Sequence, residues 1–170
     1  ALSERNLDEA DQFVDEAKRL AKLPEHVAMA KRLGELAEYV RQFWDAVGES
    51  MAGLKGGQEL KINTTIINIV EPSRERIVIR AAGQNRTYQR LSLPAGLALV
   101  IADQWLDTGS SATPVVRAAF MTVEPNLDPA EARAEFQTAL RSGAKIGELP
   151  KVLDDNYTLT APAGAMIDLP

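Results

Sequence analysis

Apolar residues recur at helical spacing through Met29, Leu33, Leu36, Val40, Phe43, Val47, Met51 and Leu54, and the period then changes at Leu54-Lys55-Gly56-Gly57. Short β-rich runs follow: Leu60-Lys61-Ile62, Ile66-Ile67-Asn68-Ile69-Val70 and Ile77-Val78-Ile79. Helices and strands bury their apolar faces with different periods. The switch therefore predicts an α+β fold: an N-terminal antiparallel helical hairpin, a small central antiparallel β-meander of 3–4 strands, and C-terminal helices.

The expected elements can be placed residue by residue. Asn6-Leu7-Asp8-Glu9 reads as a capping box that opens the first helix. Its apolar face is Leu7, Ala10, Phe13, Val14, Ala17, Leu20 and Ala21, and it runs to about Lys22. Pro24 suits the first turn of a second helix, which extends to Gly53 and needs a partner along most of its length. Gly34 and Gly48 weaken that helix, by about 1 kcal/mol each relative to Ala, so a bend or a close contact is expected there. Glu71-Pro72-Ser73-Arg74-Glu75 and Ala82-Gly83-Gln84-Asn85 read as turns between strands. Pro94 opens a helix to about Leu106 that buries Leu97, Val100, Ile101 and Trp105. Thr113-Pro114 caps the next helix, which carries Val116, Phe120 and Val123. Asp128-Pro129 starts another, with Ala132, Phe136, Ala139 and Leu140 inward, and a short helix covers Ile146 to Leu153. The expected organisation is one α+β domain over residues 1–157 (hairpin 6–54, sheet 58–91, C-terminal helices 94–154) and a flexible tail over 158–170. The small-residue spacing shared by Ala10, Val14, Ala17 and by Ala132, Phe136, Ala139 suits close helix packing.

Composition narrows the chemistry. With no cysteine there is no disulfide, thiolate metal site or cysteine nucleophile, and the compartment stays open, with cytoplasm the first expectation for a soluble chain. The net charge of -5 argues against general nucleic-acid binding. No apolar run reaches the roughly 20 residues that span a bilayer. His26 is the only histidine and sits beside Glu25 in a polar helical turn, which makes Ser-His-Asp chemistry an unsuitable reading. The carboxylate pairs Asp103/Asp107 and Glu131/Glu135, and the adjacent Asp154-Asp155, stand where acids are ordinary on helix ends and solvent faces, and no calcium-loop pattern surrounds them. Neither a metal nor a cofactor is expected. Trp44 and Trp105 are both expected in the core, where truncation of either costs about 3–5 kcal/mol.

The surface hypothesis rests on arginines. Arg76, Val78 and Arg80 project to one side of a strand, and Arg86, Tyr88 and Arg90 share a side. Such a face suits carboxylate, phosphate or single-stranded nucleic acid. The bland alternative is a solvated face whose arginines pair with Glu59, Glu71 and Glu75. The expectation drawn from this is a non-catalytic protein-interaction or structural module, a segment of a larger bacterial protein. Its contact surface would be Arg76, Arg80, Arg86, Tyr88 and Arg90, or the groove beside the long helix. Its partner would be another protein or a neighbouring domain, with an oligomer through the long helix as a further possibility. Two competing classes remain: a ligand-binding domain or enzyme using Asp103, Asp107 and Arg80 in a cleft, and a nucleic-acid-binding sheet face.

Overall fold

The long apolar stripe becomes the central rod of the molecule. In a computed structural model that describes residues 1–62 and 64–155, the second helix spans Pro24–Gly53, as its periodicity predicts. A helix of 30 residues is about 45 Å long. Helix α1 (Leu7–Leu20) lies against its first half. The second half of this rod, α2, buries residues from Leu36 to Met51, such as Val40, Phe43, Trp44 and Val47, because helices and sheet cover it on several sides. The expected tail, 158–170, lies outside the described residues.

The sheet is a four-stranded antiparallel meander in the order β1 (Glu59–Ile62), β2 (Thr65–Pro72), β3 (Arg76–Ala81) and β4 (Gln84–Gln89). Its inner face presents Leu60, Ile67, Ile69, Ile77 and Ile79 to Val47 and Met51 of α2, to Leu54 just past its end, and to Leu93 and Leu97 beyond the sheet, all in one apolar cluster. Three further helices close the body: α3 (Ala95–Ala102), α4 (Thr113–Val123) and α5 (Pro129–Arg141). Short 3-10 turns cover Leu2–Glu4, Arg90–Ser92 and Leu149–Leu153. At the centre, Phe43 stacks on Phe120 with ring centroids 3.9 Å apart, and Trp44 meets both edge-on at 5.5 and 5.6 Å.

Local chemistry accounts for several boundaries. Asn6 caps α1 by accepting from the backbone N–H of Glu9, and Glu9 returns the bond through the Asn6 side-chain amide. Gly57 takes a left-handed φ of 85° where the chain leaves α2 for the sheet, and its N–H donates to Ile69 O at 2.7 Å. The two helical glycines serve close approach. A Cβ at Gly34 would stand 3.2 Å from Val14 Cγ1 on α1, and one at Gly48 would stand 3.2 Å from Arg90 Cδ. Neither position needs a bend to explain it.

Several expectations change. Helix α3 stops at Ala102 instead of near Leu106, and the chain continues as a hydrogen-bonded turn in which Trp105 N–H reaches Ala102 O. Thr113 is already helical, and its hydroxyl donates to Asp107 O at 2.6 Å, so it does not cap α4. The short last helix is a 3-10 turn, Leu149–Leu153. Phe13 and Leu20 of α1 and Leu140 of α5 are exposed, because each helix is met along a narrower stripe than its apolar residues occupy. Trp105 is 57% exposed, whereas Trp44 is 1% exposed, so of the two only Trp44 joins the core.

Candidate docking groove

The strand register decides the fate of the arginine hypothesis. Residues directly opposite on neighbouring strands project from the same face. Tyr88 stands opposite Ile77 and Arg86 opposite Ile79, and both isoleucines belong to the core. Tyr88 and Arg86 therefore project from the inner face, with Tyr88 packed against the core and Arg86 exposed at the edge strand. Arg76 and Arg80 project from the outer face on either side of Val78. Arg76 pairs with Glu71 at 2.6 Å, and Arg80 Nε donates to Asn85 at 2.9 Å. Arg90 lies beyond the sheet in a 3-10 turn. Its Nη1 donates to Trp44 O at 3.1 Å and lies 3.5 Å from Asp45, while its Nε lies 3.3 Å from Glu75. The structure thus divides the five residues into an outer pair, an inner pair and a brace on α2, with no aromatic ring among the outer guanidinium groups.

The cleft residues are likewise engaged separately. Arg80 is on the sheet, Asp103 pairs with Arg117 of α4, and Asp107 accepts from Gly109 N–H at 2.8 Å within its own turn. Burial opposes the charge of Arg117, but the hydrogen bond and charge of Asp103, joined by those of Glu135 at 3.0 Å, outweigh it and raise its pKa above the ordinary value. With α3 ending at Ala102, Asp103 and Asp107 do not share a helix face. His26 is exposed in the first turn of α2. Among the described residues no group of three or more acidic or histidine side chains is placed to hold a metal ion.

The ion pairs that matter most to the fold lie elsewhere. Arg5, in a left-handed conformation with φ 60°, donates from Nε and Nη2 to both carboxylate oxygens of Glu124, at 2.9 and 3.0 Å. Its Nη1 donates to the carbonyls of Leu91 and Leu93, and the guanidinium stands 5.0 Å from the Trp44 ring centroid. One side chain thus ties the N-terminal turn to the end of α4, the turn after β4 and α2. Arg32, buried on α2, forks onto Asp155 at 2.9 and 2.8 Å. Partners so distant in sequence left no signal in the residue pattern.

An open groove of about 390 Å³ runs beside α2. One wall is the α2 stripe Gln42, Asp45, Ala46 and Glu49, which share a face by their spacing. The other wall is the segment from Trp105 to Thr113, with Leu106 and Val116 supplying apolar surface. This wall is fixed by local bonds: Asp107 to Gly109 N–H, Thr113 to Asp107 O, and Ser110 to Ala112 N–H. Asp45, Glu49 and Asp107 place three carboxylates on the lining beside the exposed indole. Arg74, which pairs with Glu49, and Arg90 cross α2 nearby over Gly48, where the missing side chain makes room for them.

Chemically, an aromatic ring next to carboxylates attracts a cation, and the apolar strip favours a hydrophobic neighbour. Trp105, expected in the core, stands instead on the groove wall. The polar run Asp103-Gln104-Trp105-Leu106-Asp107-Thr108-Gly109 was the available sign that it stands in a turn. No family model matches this chain, and no curated protein or solved structure is significantly similar to it.

Proposed function

We propose that this chain is a non-catalytic docking module for another protein or a neighbouring domain, and that the groove beside α2 is its contact site. The observation that carries the reading is Trp105, a large aromatic side chain 57% exposed on the wall of a groove lined by Asp45, Glu49 and Asp107. Exposed aromatics at the edge of a structured groove are the usual anchors of protein contacts. The occupant that fits is an extended or helical segment carrying a Lys or Arg next to a bulky apolar residue. Its cation would meet the indole face and Asp107, since Glu49 is already paired with Arg74 and Asp45 lies near Arg90, and its apolar side chain would meet Ala46, Leu106 and Val116.

The engagement of the other polar groups supports the same reading. Arg5, Arg90 and Arg117 are braces between elements, and the carboxylates they hold, Glu124, Glu75 and Asp103, belong to different parts of the fold. The outer sheet face has Arg76 and Arg80 without a stacking ring, which disfavours single-stranded nucleic acid.

Selection from a random peptide display library tests the proposal. The enriched peptides should pair a basic residue with a bulky apolar one, and their affinity should fall at least tenfold on Trp105→Ala. Trp105 is exposed, so that substitution should leave the thermal unfolding midpoint nearly unchanged. Peptides that bind Trp105→Ala as tightly as the original chain would remove the groove from the account.

A further inference from the structure

The turn between β2 and β3 reaches one wall of the groove from outside its lining. The N–H and the hydroxyl of Ser73 both donate to Arg76 O at 2.8 Å, and Arg76 N–H donates to the Ser73 hydroxyl at 3.1 Å. Arg90 N–H donates to Glu75 O at 2.8 Å, so the backbone on both sides of Arg74 is tied down. From this turn the Arg74 side chain passes over α2 at Gly48, where a Cβ would stand 3.4 Å from Arg74 Cγ. Its Nη1 donates to Oε1 of Glu49, one of the three groove carboxylates. The chain thus places a cation of its own on an acid that a ligand's cation would otherwise meet.

The three carboxylates are held differently. Asp107 accepts from Gly109 N–H and has no ion pair among the described residues. Asp45 lies 3.5 Å from Arg90, whose side chain is only 19% exposed and is anchored by Trp44 O and Glu75. That cation cannot leave Asp45 without losing its other partners. Glu49 and Arg74 are exposed on both sides, at 37% and 51%. An exposed pair of this kind contributes little and exchanges readily.

We infer that Arg74 is an internal competitor that fits the groove to segments with a single basic residue. This rests on the groove being the docking site. The ligand's first cation takes Asp107 and the indole face. A second base, beyond the apolar residue, would reach the α2 wall at Glu49, where it has to displace Arg74. One exposed ion pair is then exchanged for another, and the second base adds next to nothing to affinity. Without Arg74, the same base would gain a partner that had none. The preference against doubly basic segments therefore comes from a residue outside the groove lining, acting through Glu49.

Capped tripeptides test it, with Trp105 indole shifts giving the affinities. One-base probes are arginine–leucine–alanine and alanine–leucine–arginine, of which the tighter is the reference, and the two-base probe is arginine–leucine–arginine. The quantity read is the affinity ratio, two bases over one. Arg74→Ala should raise this ratio by about threefold or more. Arg74→Lys should leave it unchanged, and adding Glu49→Gln to Arg74→Ala should cancel the rise. Arg76→Ala removes the same charge from the outer sheet face and should leave the ratio as it is in the original chain. All four substitutions are at exposed ion pairs, so the thermal melts should match. A ratio unmoved by Arg74→Ala, an equal rise with Arg76→Ala, or a rise that survives Glu49→Gln would each overturn the inference. One-base binding that still depends on Trp105 would then leave the groove in place. No binding of any of these peptides to the original chain would remove both the groove and this inference.

Discussion

Arg5 is the residue on which the most structure converges. It is held at φ 60°, a conformation non-glycine residues seldom adopt, and its guanidinium reaches a carboxylate, two carbonyls and an indole face. The Glu124 side chain is only 4% exposed, so removing Arg5 strands a buried negative charge. Arg5→Ala should therefore cost about 3 kcal/mol by urea denaturation, and Glu124→Leu in that background should recover part of the loss. Recovery separates a stranded charge from a simple loss of packing. None of this was legible in the sequence, because Arg5 and Glu124 are 119 residues apart and each looks like an ordinary surface charge. The two tryptophans show the same limit from the other side. Both sit among helically spaced apolar residues, yet Trp44 is enclosed by Phe43 and Phe120 while Trp105 follows a helix that has already stopped. That early stop coincides with the pairing of Asp103 to Arg117, a contact between elements that periodicity cannot anticipate.

Among the elements, the long helix was the most legible. Its stripe, its Pro24 start and its Gly53 end follow from local rules, and the structure places them as expected. The sheet order was equally accessible, since consecutive short strands separated by turn residues form a meander by default. The split of the arginine set was accessible as well. A turn of either two or four residues between β3 and β4 sets Tyr88 opposite an isoleucine, on the core face. The observed turn has two residues, Ala82 at φ 49° and Gly83 at φ 79°, between paired Ala81 and Gln84. Such a turn needs positive φ at both positions and favours Asn-Gly. Alanine is costly there, so Ala82→Asn should stabilise the protein by about 0.5–1 kcal/mol, seen as a higher urea midpoint with an unchanged slope. A lower midpoint would mean that the turn relaxes into another form. Helix α1 was legible in its cap and extent but not in its burial, because Phe13 and Leu20 carry the periodicity of a core face and yet lie exposed.

At the scale of the whole molecule, the architecture is a rod sheathed on its second half by helices and a meander, with long-range arginine braces closing the seams. No helix among the described residues is long and apolar enough to cross a membrane. The exposed features that stand out against this background are apolar: the stripe on α1 and the indole on the groove. They make a docking role the reading that uses the most of the surface. The most direct test of that role is two-dimensional NMR of the two tryptophan indole N–H groups during titration with a short arginine–leucine peptide. The account predicts that the Trp105 resonance moves progressively while buried Trp44 stays fixed, and that a glutamate–leucine peptide moves neither. A stationary Trp105 at millimolar peptide, or equal movement with the acidic peptide, would contradict it.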